Sequence, residues 1–221
     1  SRQVRKWAFS DRNKYRKDTK EMMRIITGSA RGVRLDTLEG EMTRPTTERA
    51  KEAVFSILRA RTDLSGARVL DLFAGCGQLG LEALSAGAAH AVLVDQSREA
   101  VRVIEKNAAK TRLADRCTIL CSDAASYLRS RRGHEVFDCI FLDPPYAMRA
   151  VAATVEDILR ARLLAPGGLI VCESGEPDPL DFGTGTALSG HFSLLREAKY
   201  GKAYITLVTA ASATGAGGDE S

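Results

Sequence analysis

The stretch VFDCIFLDPPY, residues 136–146, sets the architecture of the chain. Its apolar run, residues 136–142, has the length of one buried β-strand. Asp143 and two prolines follow, and because proline cannot donate a ladder hydrogen bond, the strand is expected to end there. Open α/β sheets bind their ligands at the carboxyl ends of their strands. We therefore expect the chemistry of this protein at the end of this strand.

Strands and helices alternate on both sides of that stretch. Five strands are predicted at residues 68–72, 89–95, 117–122, 136–142 and 169–173, with helices between them at residues 79–86, 98–110, 124–131 and 151–161. This alternation is typical of a parallel sheet covered by helices on both faces. Residues 192–199 and 203–209 are predicted to form an antiparallel hairpin at the edge. The predicted fold class is α/β, a Rossmann-like, mostly parallel seven-stranded sheet with an antiparallel C-terminal hairpin.

A small N-terminal β-hairpin extension is predicted before this sheet. Residues 24–27 and 32–35 are β-prone, and Gly28-Ser29-Ala30 lies between them as a turn. Thr46 is the expected N-cap of the helix that follows. Four arginines of this region can hold phosphates, or can instead protect an exposed edge from aggregation. They are Arg24, Arg31, Arg34 and Arg44.

Composition indicates one soluble domain in a reducing compartment. The chain has 221 residues, 44% hydrophobic and 27% charged, enough to bury a full core. No apolar run approaches the roughly 20 residues that span a bilayer, so we expect no membrane partner. The odd number of cysteines predicts the reducing cytoplasm as the location. Five cysteines without a C-x-x-C pair, and three scattered histidines, predict free thiols and no metal site. No interface stripe stands out, so we expect a monomer.

The positive charge lies mainly in an N-terminal arm. Residues 1–23 hold eight basic and three acidic side chains, whereas the whole chain has a net charge of +4. Such an arm favours a polyanion such as nucleic acid through counterion release. Alternatively, the arm precedes the natural start, for which Met22 and Met23 are candidates. The expected organisation is a flexible or added arm at 1–22, the hairpin extension at 23–45, the main domain at 46–209 and a disordered tail at 210–221.

A glycine-rich loop follows the first parallel strand. Gly75, Gly77 and Gly80 satisfy G-x-G-x-x-G between a strand and a helix, which is typical of a nucleotide-cofactor loop. That pattern alone is weak evidence for any one cofactor. The position of Asp71 distinguishes the dinucleotides from S-adenosylmethionine. Its carboxylate, four residues before Gly75, would repel the pyrophosphate of NAD or FAD. It would instead attract a cation such as the α-amine of S-adenosylmethionine.

Two further acids follow the next two strands. Asp95 ends the second strand, where an acid can accept both hydroxyls of a ribose. Asp123 follows the third strand and can accept the adenine amine, or can serve as the N-cap of the next helix. Together with Asp71, these acids would address three parts of one adenosyl amino acid.

The corner Asp143-Pro144-Pro145-Tyr146 suits a planar base that carries an exocyclic amine. The Asp143 carboxylate and the Pro144 carbonyl are acceptors, and Tyr146 offers an aromatic face. Acceptors on both amine hydrogens would favour the pyramidal, nucleophilic form of the amine as charge develops. The alternative is a structural turn in which Tyr146 only packs.

The whole arrangement resembles the class I S-adenosylmethionine-dependent methyltransferases, whose amino-methylating D/N-P-P-Y motif is similar to residues 143–146. More narrowly, the chain resembles the RsmD family, which methylates the exocyclic N2 of one guanine in 16S ribosomal RNA. The resemblance covers residues 23–209. Cys76 and Gln78 depart from the small or hydroxyl residues usual in the glycine loop, at variable positions. The segments that carry the resemblance are residues 24–26, 44–46, 71–75, 79–85, 143–146 and 200–201.

This resemblance implies the cofactor S-adenosyl-L-methionine and a methyltransferase domain at residues 46–209. The implied partner is 16S rRNA within the assembling small ribosomal subunit. The implied catalytic residues are Asp143, Pro144 and Tyr146. The implied cofactor-binding residues are Asp71, Phe73, Gly75, Gly77, Asp95, Asp123 and Ala124. The implied RNA-binding residues are Arg24, Arg31, Arg34 and Arg44.

Three other functions stay open on the sequence. A DNA or other-RNA amino-methyltransferase would use the same D-P-P-Y chemistry, although the short chain has no room for a separate target-recognition domain. A catalytically silent RNA-binding assembly factor would not need the intact residues 143–146. A nicotinamide oxidoreductase is disfavoured by Asp71.

Overall fold

A computed structural model of the chain describes residues 23–38, 45–145, 150–183, 185 and 188–210. They form a seven-stranded sheet in the order β3-β2-β1-β4-β5-β7-β6. Strands β1 to β5 pair in parallel, whereas β7 is antiparallel to both β5 and β6. The predicted α/β class with an antiparallel C-terminal hairpin is confirmed. The strands are β1 Arg68–Asp71, β2 His90–Asp95, β3 Cys117–Cys121, β4 Phe137–Leu142, β5 Leu164–Ser174, β6 Phe192–Tyr200 and β7 Ala203–Ala210.

Helices cover both faces of the sheet. Helices α1 to α3 pack on one face, where the rings of Phe55 and Phe141 lie 5.8 Å apart, and α4 and α5 cover the other face. The core under α1 to α3 is called the first core, and the core under α4 and α5 the second. Successive strand residues point to opposite faces, so that Val69 packs in the first core and Leu70 in the second. The sheet is therefore buried on both sides, and its carboxyl edge stays accessible. The helices are α1 Pro45–Arg61, α2 Gln78–Ser85, α3 Arg98–Thr111, α4 Ala124–Ser130 and α5 Val151–Ala161.

Two element boundaries differ by more than one residue from the sequence-based expectation. Strand β5 begins at Leu164, which pairs with Phe137, although the expected start was residue 169. The Pro-Gly-Gly sequence at residues 166–168 hid this first part of the strand, because such residues usually mark turns. Helix α1 begins at Pro45, so Thr46 is not its N-cap but lies in its first turn. Proline suits the first helical position, where its missing N–H would have no partner anyway.

Residues 23–38, which we call the N-terminal strap, do not form the predicted β-hairpin. A single antiparallel bridge joins Arg24 to Arg34. A 3₁₀ helix, Gly28–Ala30, lies where the turn was expected. The strap also buries Ile25 and Leu35 in the first core. It is an irregular segment held by the main domain.

Glu82 on α2 binds backbone groups of the strap beside its 3₁₀ helix. Its fully buried carboxylate accepts hydrogen bonds from the N–H groups of Ile26 and Thr27 at 2.7–3.0 Å. The buried Lys51 ammonium of α1 lies 3.4 Å from the same carboxylate and donates to the Arg24 carbonyl at 2.5 Å. The two halves of the strap still bond to each other, from the Ile25 N–H to the Val33 carbonyl at 3.0 Å and from the Leu35 N–H to the Met23 carbonyl at 2.8 Å. Side chains of α1 and α2 bind the backbone groups next to this short pairing, and their ion pair attaches the strap to both helices.

Several predictions fall outside the described residues: those on the arm at residues 1–22, on Arg44, on Tyr146 and on residues 211–221 of the tail. Among the helices that are described, none is both long and apolar enough to cross a bilayer. Within the same ranges, no three His, Cys, Asp or Glu side chains are placed to hold a metal ion.

Candidate active site

A cavity of about 480 Å³ opens at the carboxyl edge of the parallel strands. The first four strands each bring one acid to its lining, at the strand end or within two residues of it. The acids come together because parallel neighbours end on the same edge of the sheet. The four acids, from β1 to β4, are Asp71, Asp95, Asp123 and Asp143.

Asp71 is buried in the wall of this cavity with an unmet hydrogen-bonding need. Its Oδ2 accepts from the Gly80 N–H at 3.0 Å, whereas its buried Oδ1 has no hydrogen-bond partner among the residues that the structure describes. Burial raises the pKa of Asp71 from 3.8 to about 7; the N–H groups of Gly80 and Phe73 oppose this, and the charge of Asp95 adds to it. An ammonium donor in the cavity would satisfy Oδ1 and favour the ionised carboxylate. The α-amine of S-adenosylmethionine fits this requirement.

The glycine loop runs from β1 to α2 beside Asp71. Gly75 has φ +56°, and a side chain there would meet nothing within 4 Å, so the loop faces open space. Gly77 has φ +81° immediately before α2 and does not line the cavity. A Cβ on Gly80 would lie 2.8 Å from the Leu93 side chain, so this glycine lets α2 approach β2. Gly75 thus leaves room for a ligand to approach the loop, Gly77 forms the turn into α2, and Gly80 allows close packing of α2 on β2.

Asp95 is fixed by hydrogen bonds to the glycine loop and to the residues that follow β2. Its Oδ2 accepts from the Gly75 N–H at 2.9 Å, and its Oδ1 accepts from the Ser97 N–H at 2.8 Å. A carboxylate oxygen has two lone pairs, so each oxygen can accept one more hydrogen bond. Asp95 can therefore receive two ribose hydroxyls in a fixed orientation.

Asp123 performs the structural role that the sequence had left open. It is the N-cap of α4, and its Oδ1 accepts from the Ser126 N–H at 2.9 Å. Hydrogen bonds from Ser126 hold the pKa of this carboxyl below its usual range. Asp123 and Ala124 nevertheless both line the cavity. The cap orients the acid and is compatible with a second role towards a ligand.

The Asp-Pro-Pro corner lies at the junction of two cavities. Asp143 is half-buried and lines the first cavity. A second cavity, of about 790 Å³, is lined by the buried Pro144 and shares Pro145 and Ala150 with the first. The corner therefore faces the acids of the first cavity on one side and a neighbouring space on the other.

The strap contributes cavity residues that the sequence did not indicate. Met23 and Leu38, near the two ends of the strap, line the first cavity. Their positions follow from contacts with α2 and α3, which leave no signal in the local sequence. On the outer side, Arg24, Arg31 and Arg34 are exposed, and Arg24 is paired with Glu48 at 2.9 Å. These exposed arginines and the cavity linings belong to the described part of the chain.

The fold is similar to that of a solved structure, "Putative methyltransferase yhhF" from Escherichia coli. The TM-score is 0.72 and the sequence identity 32%, over 86% of this chain and 98% of that chain. Together with the four-acid cavity at the carboxyl edge, this similarity places the chain among the methyltransferases of the α/β class.

The family follows from the sequence comparisons. A family model described as "Conserved hypothetical protein 95" matches residues 23–209. "Putative rRNA methyltransferase YlbH" of Bacillus subtilis is 38% identical over 152 residues, which are 68% of this chain and 82% of that protein. "Ribosomal RNA small subunit methyltransferase D" of Escherichia coli is 36% identical over 153 residues, 69% of this chain and 74% of that protein. The chain belongs to this family, that of RsmD and YlbH.

Proposed function

We propose that this chain methylates the exocyclic N2 of a guanine in 16S rRNA of the small ribosomal subunit, with S-adenosylmethionine as the methyl donor. The relatives named as small-subunit rRNA methyltransferases support the RNA class. The Asp143-Pro144-Pro145 corner supports an amine as the acceptor group. The observation that carries the proposal is that Asp143 lines the same cavity as Asp71 and Asp95.

Three acids bind the cofactor in this proposal. Asp71 accepts the α-amine through its unpaired Oδ1, Asp95 accepts the ribose hydroxyls, and Asp123 accepts the adenine amine. Phe73, Gly75 and Ala124 complete that wall of the cavity. Gly77 contributes indirectly by shaping the turn into α2. When bound, S-adenosylmethionine supplies an electrophilic methyl group on a sulfonium.

The Asp-Pro-Pro corner prepares the guanine amine. The Asp143 carboxylate and the Pro144 carbonyl accept the two amine hydrogens, which favours the pyramidal form and stabilises the positive charge that develops on nitrogen. Holding the amine in line with the methyl group supplies several kcal/mol of the rate enhancement without a covalent intermediate. A guanine inside folded RNA must first leave its stack, at a cost of a few kcal/mol. Tyr146 is proposed to stack on that base.

The strap is the proposed RNA contact. Arg24, Arg31 and Arg34 are exposed on it, and its ends reach the first cavity. Phosphate contacts of this kind position a substrate without reading its sequence. Arg44 is proposed to add to them. The partner is 16S rRNA in the assembling small subunit, in the cytoplasm.

The proposal is tested with Asp143→Ala and Asp143→Asn against labelled cofactor. Small subunits that lack the modification, naked 16S rRNA and duplex DNA serve as substrates. We expect Asp143→Ala to lower kcat at least about 100-fold, because an acceptor at the developing charge is lost. Asp143→Asn keeps an oxygen acceptor and should retain part of the activity. S-adenosylhomocysteine should bind both variants nearly as tightly as the wild-type protein.

Three outcomes would contradict the proposal. Equal loss of cofactor affinity and turnover in Asp143→Ala would assign Asp143 to cofactor binding. Methyl transfer to DNA alone would replace rRNA as the substrate. Tight RNA binding without transfer to any small-subunit substrate would indicate a silent assembly factor.

A further inference from the structure

Asn107 on α3 joins two distant segments of the chain through one side chain. It is fully buried. Its Oδ1 accepts from the Asp36 N–H at 2.8 Å, and its Nδ2 donates to the Asp36 carbonyl at 2.9 Å. The same Nδ2 donates to the Cys76 carbonyl, also at 2.9 Å. The carboxamide thus uses both donors and its acceptor on backbone groups of the strap and of the glycine loop.

Both of these segments form the wall of the first cavity. Cys76, in the glycine loop, lines it directly, and Leu38 lines it two residues after Asp36. The Cys76 thiol also lies 3.2 Å from the sulfur of Met23, the strap residue that lines the cavity near the other end of the strap. A shift of the strap relative to the glycine loop would therefore change the shape of the cofactor cavity.

We propose that Asn107 is a positioning residue for the cofactor, which keeps the strap and the glycine loop in register so that Met23 and Leu38 complete the cavity. This inference depends on the proposed use of S-adenosylmethionine. Asparagine is suited to the task because it offers one acceptor and two donors in a compact side chain. Leucine, of similar size, would remove the hydrogen bond to the buried Cys76 carbonyl and both hydrogen bonds to the backbone of the exposed Asp36, so the strap would lose this link to the glycine loop.

The test compares Asn107→Leu with Thr111→Val. Thr111 lies one turn further along α3, is also buried, and donates within its own helix to the carbonyls of Asn107 and Ala108. Both substitutions replace a buried polar side chain with an apolar one of similar size. Isothermal titration with S-adenosylhomocysteine should show a Kd about tenfold higher for Asn107→Leu. For Thr111→Val, the Kd should stay within about twofold of the wild-type value.

A second readout needs no ligand. In the free protein, hydrogen exchange at the Asp36 amide should be faster in Asn107→Leu and unchanged in Thr111→Val, since that amide loses its acceptor in the first variant only. If Asn107→Leu does not fold, Asn107→Asp replaces it. Aspartate keeps the side-chain volume and an acceptor for the Asp36 N–H, and it loses the donors to both carbonyls. For this variant the Kd for S-adenosylhomocysteine is the readout, and it should rise as for Asn107→Leu.

A double-mutant cycle distinguishes positioning from general destabilisation. Leu38→Ala alone should raise the Kd for S-adenosylhomocysteine, and should raise it less in the Asn107→Leu background, because the strap has already left its register there. Additive effects, or an unchanged Kd in folded Asn107→Leu, would overturn the assignment of Asn107. Failure of the wild-type protein to bind S-adenosylhomocysteine would overturn the proposed cofactor as well, and an accelerated exchange at Asp36 would then show that Asn107 holds only the fold.

Discussion

The substitution Asp71→Asn tests whether the cavity is built to receive a cation. Asp71 is 1% exposed, and burial raises its pKa from 3.8 to about 7. The folded protein therefore holds a proton that the unfolded chain releases near pH 4. Because the folded state binds more protons between these two values, the free energy of unfolding falls as the pH rises from about 4 to about 7. Above pH 7 this contribution is constant.

The magnitude follows from those two pKa values. Between pH 5 and pH 8, the wild-type protein should lose roughly 2 to 3 kcal/mol of unfolding free energy through Asp71, at about 1.4 kcal/mol for each tenfold difference in proton affinity. The carboxamide that replaces this carboxyl does not ionise, so the loss is absent in the variant. Urea unfolding followed by circular dichroism, without ligand, should show the variant gaining roughly 2 to 3 kcal/mol on the wild-type protein over that range. The exposed control Glu105→Gln should stay within about 0.5 kcal/mol at both pH values.

Binding should change in the opposite direction. At pH 8, S-adenosylhomocysteine should bind Asp71→Asn at least about tenfold more weakly, because the α-amine loses its charged acceptor. If Asp71→Asn makes the protein more stable at pH 8 but binds S-adenosylhomocysteine more weakly, the Asp71 carboxylate serves ligand binding and not stability. If the unfolding free energies of variant and wild type change with pH in the same way, Asp71 does not have the raised pKa. If S-adenosylhomocysteine binds both proteins equally well, Asp71 does not contact the α-amine.

Two further predictions concern the anchoring of the strap. Gly28 has φ +71°, and an added Cβ would lie 1.6 Å from a backbone oxygen of α2, so Gly28→Ala should lower the free energy of unfolding by roughly 3 kcal/mol or more. Gly32, with φ +85° and open space around it, is the matched control and should lose only about 1 kcal/mol as alanine in the same urea titration. Glu82→Gln leaves the buried Lys51 ammonium without its carboxylate and should cost roughly 3 kcal/mol, whereas the exposed Glu156→Gln should cost less than about 0.5 kcal/mol. If Gly28→Ala and Gly32→Ala, or Glu82→Gln and Glu156→Gln, lower the free energy of unfolding equally, the strap is not attached by the contacts described above.

Local patterns accounted for most of the fold. The apolar runs and the 3.6-residue periodicity placed the strands and helices of the main domain, because those signals come from each element's own burial pattern. The four acids could be named from their positions after successive strands, since parallel strands end on one edge. The sequence left two roles open for Asp123, the N-cap of α4 and an acceptor for the adenine amine. Its hydrogen bond from Ser126 shows the first role and is compatible with the second.

The strap shows where local patterns are insufficient. Residues 24–27 and 32–35 have the composition of strands, but they pair at a single bridge, and Glu82, more than fifty residues away, binds the N–H groups of Ile26 and Thr27. Asn107 acts in the same way at Asp36. Glu82 lies in the segment 79–85 and Asn107 in no motif, but neither local pattern specifies a partner in residues 23–38. The part that these residues take in the cavity therefore depends on tertiary contacts.

The sequence by itself therefore determined the α/β order of the main domain, the glycine loop and the acids at the strand ends, because each depends on neighbours along the chain. The tertiary structure alone decided which of those acids is deprived of water, how the strap is attached, and that Asp143 and Asp71 share one cavity. Burial, proximity and pKa are properties of packed surfaces, and packing brings together residues that the sequence keeps far apart.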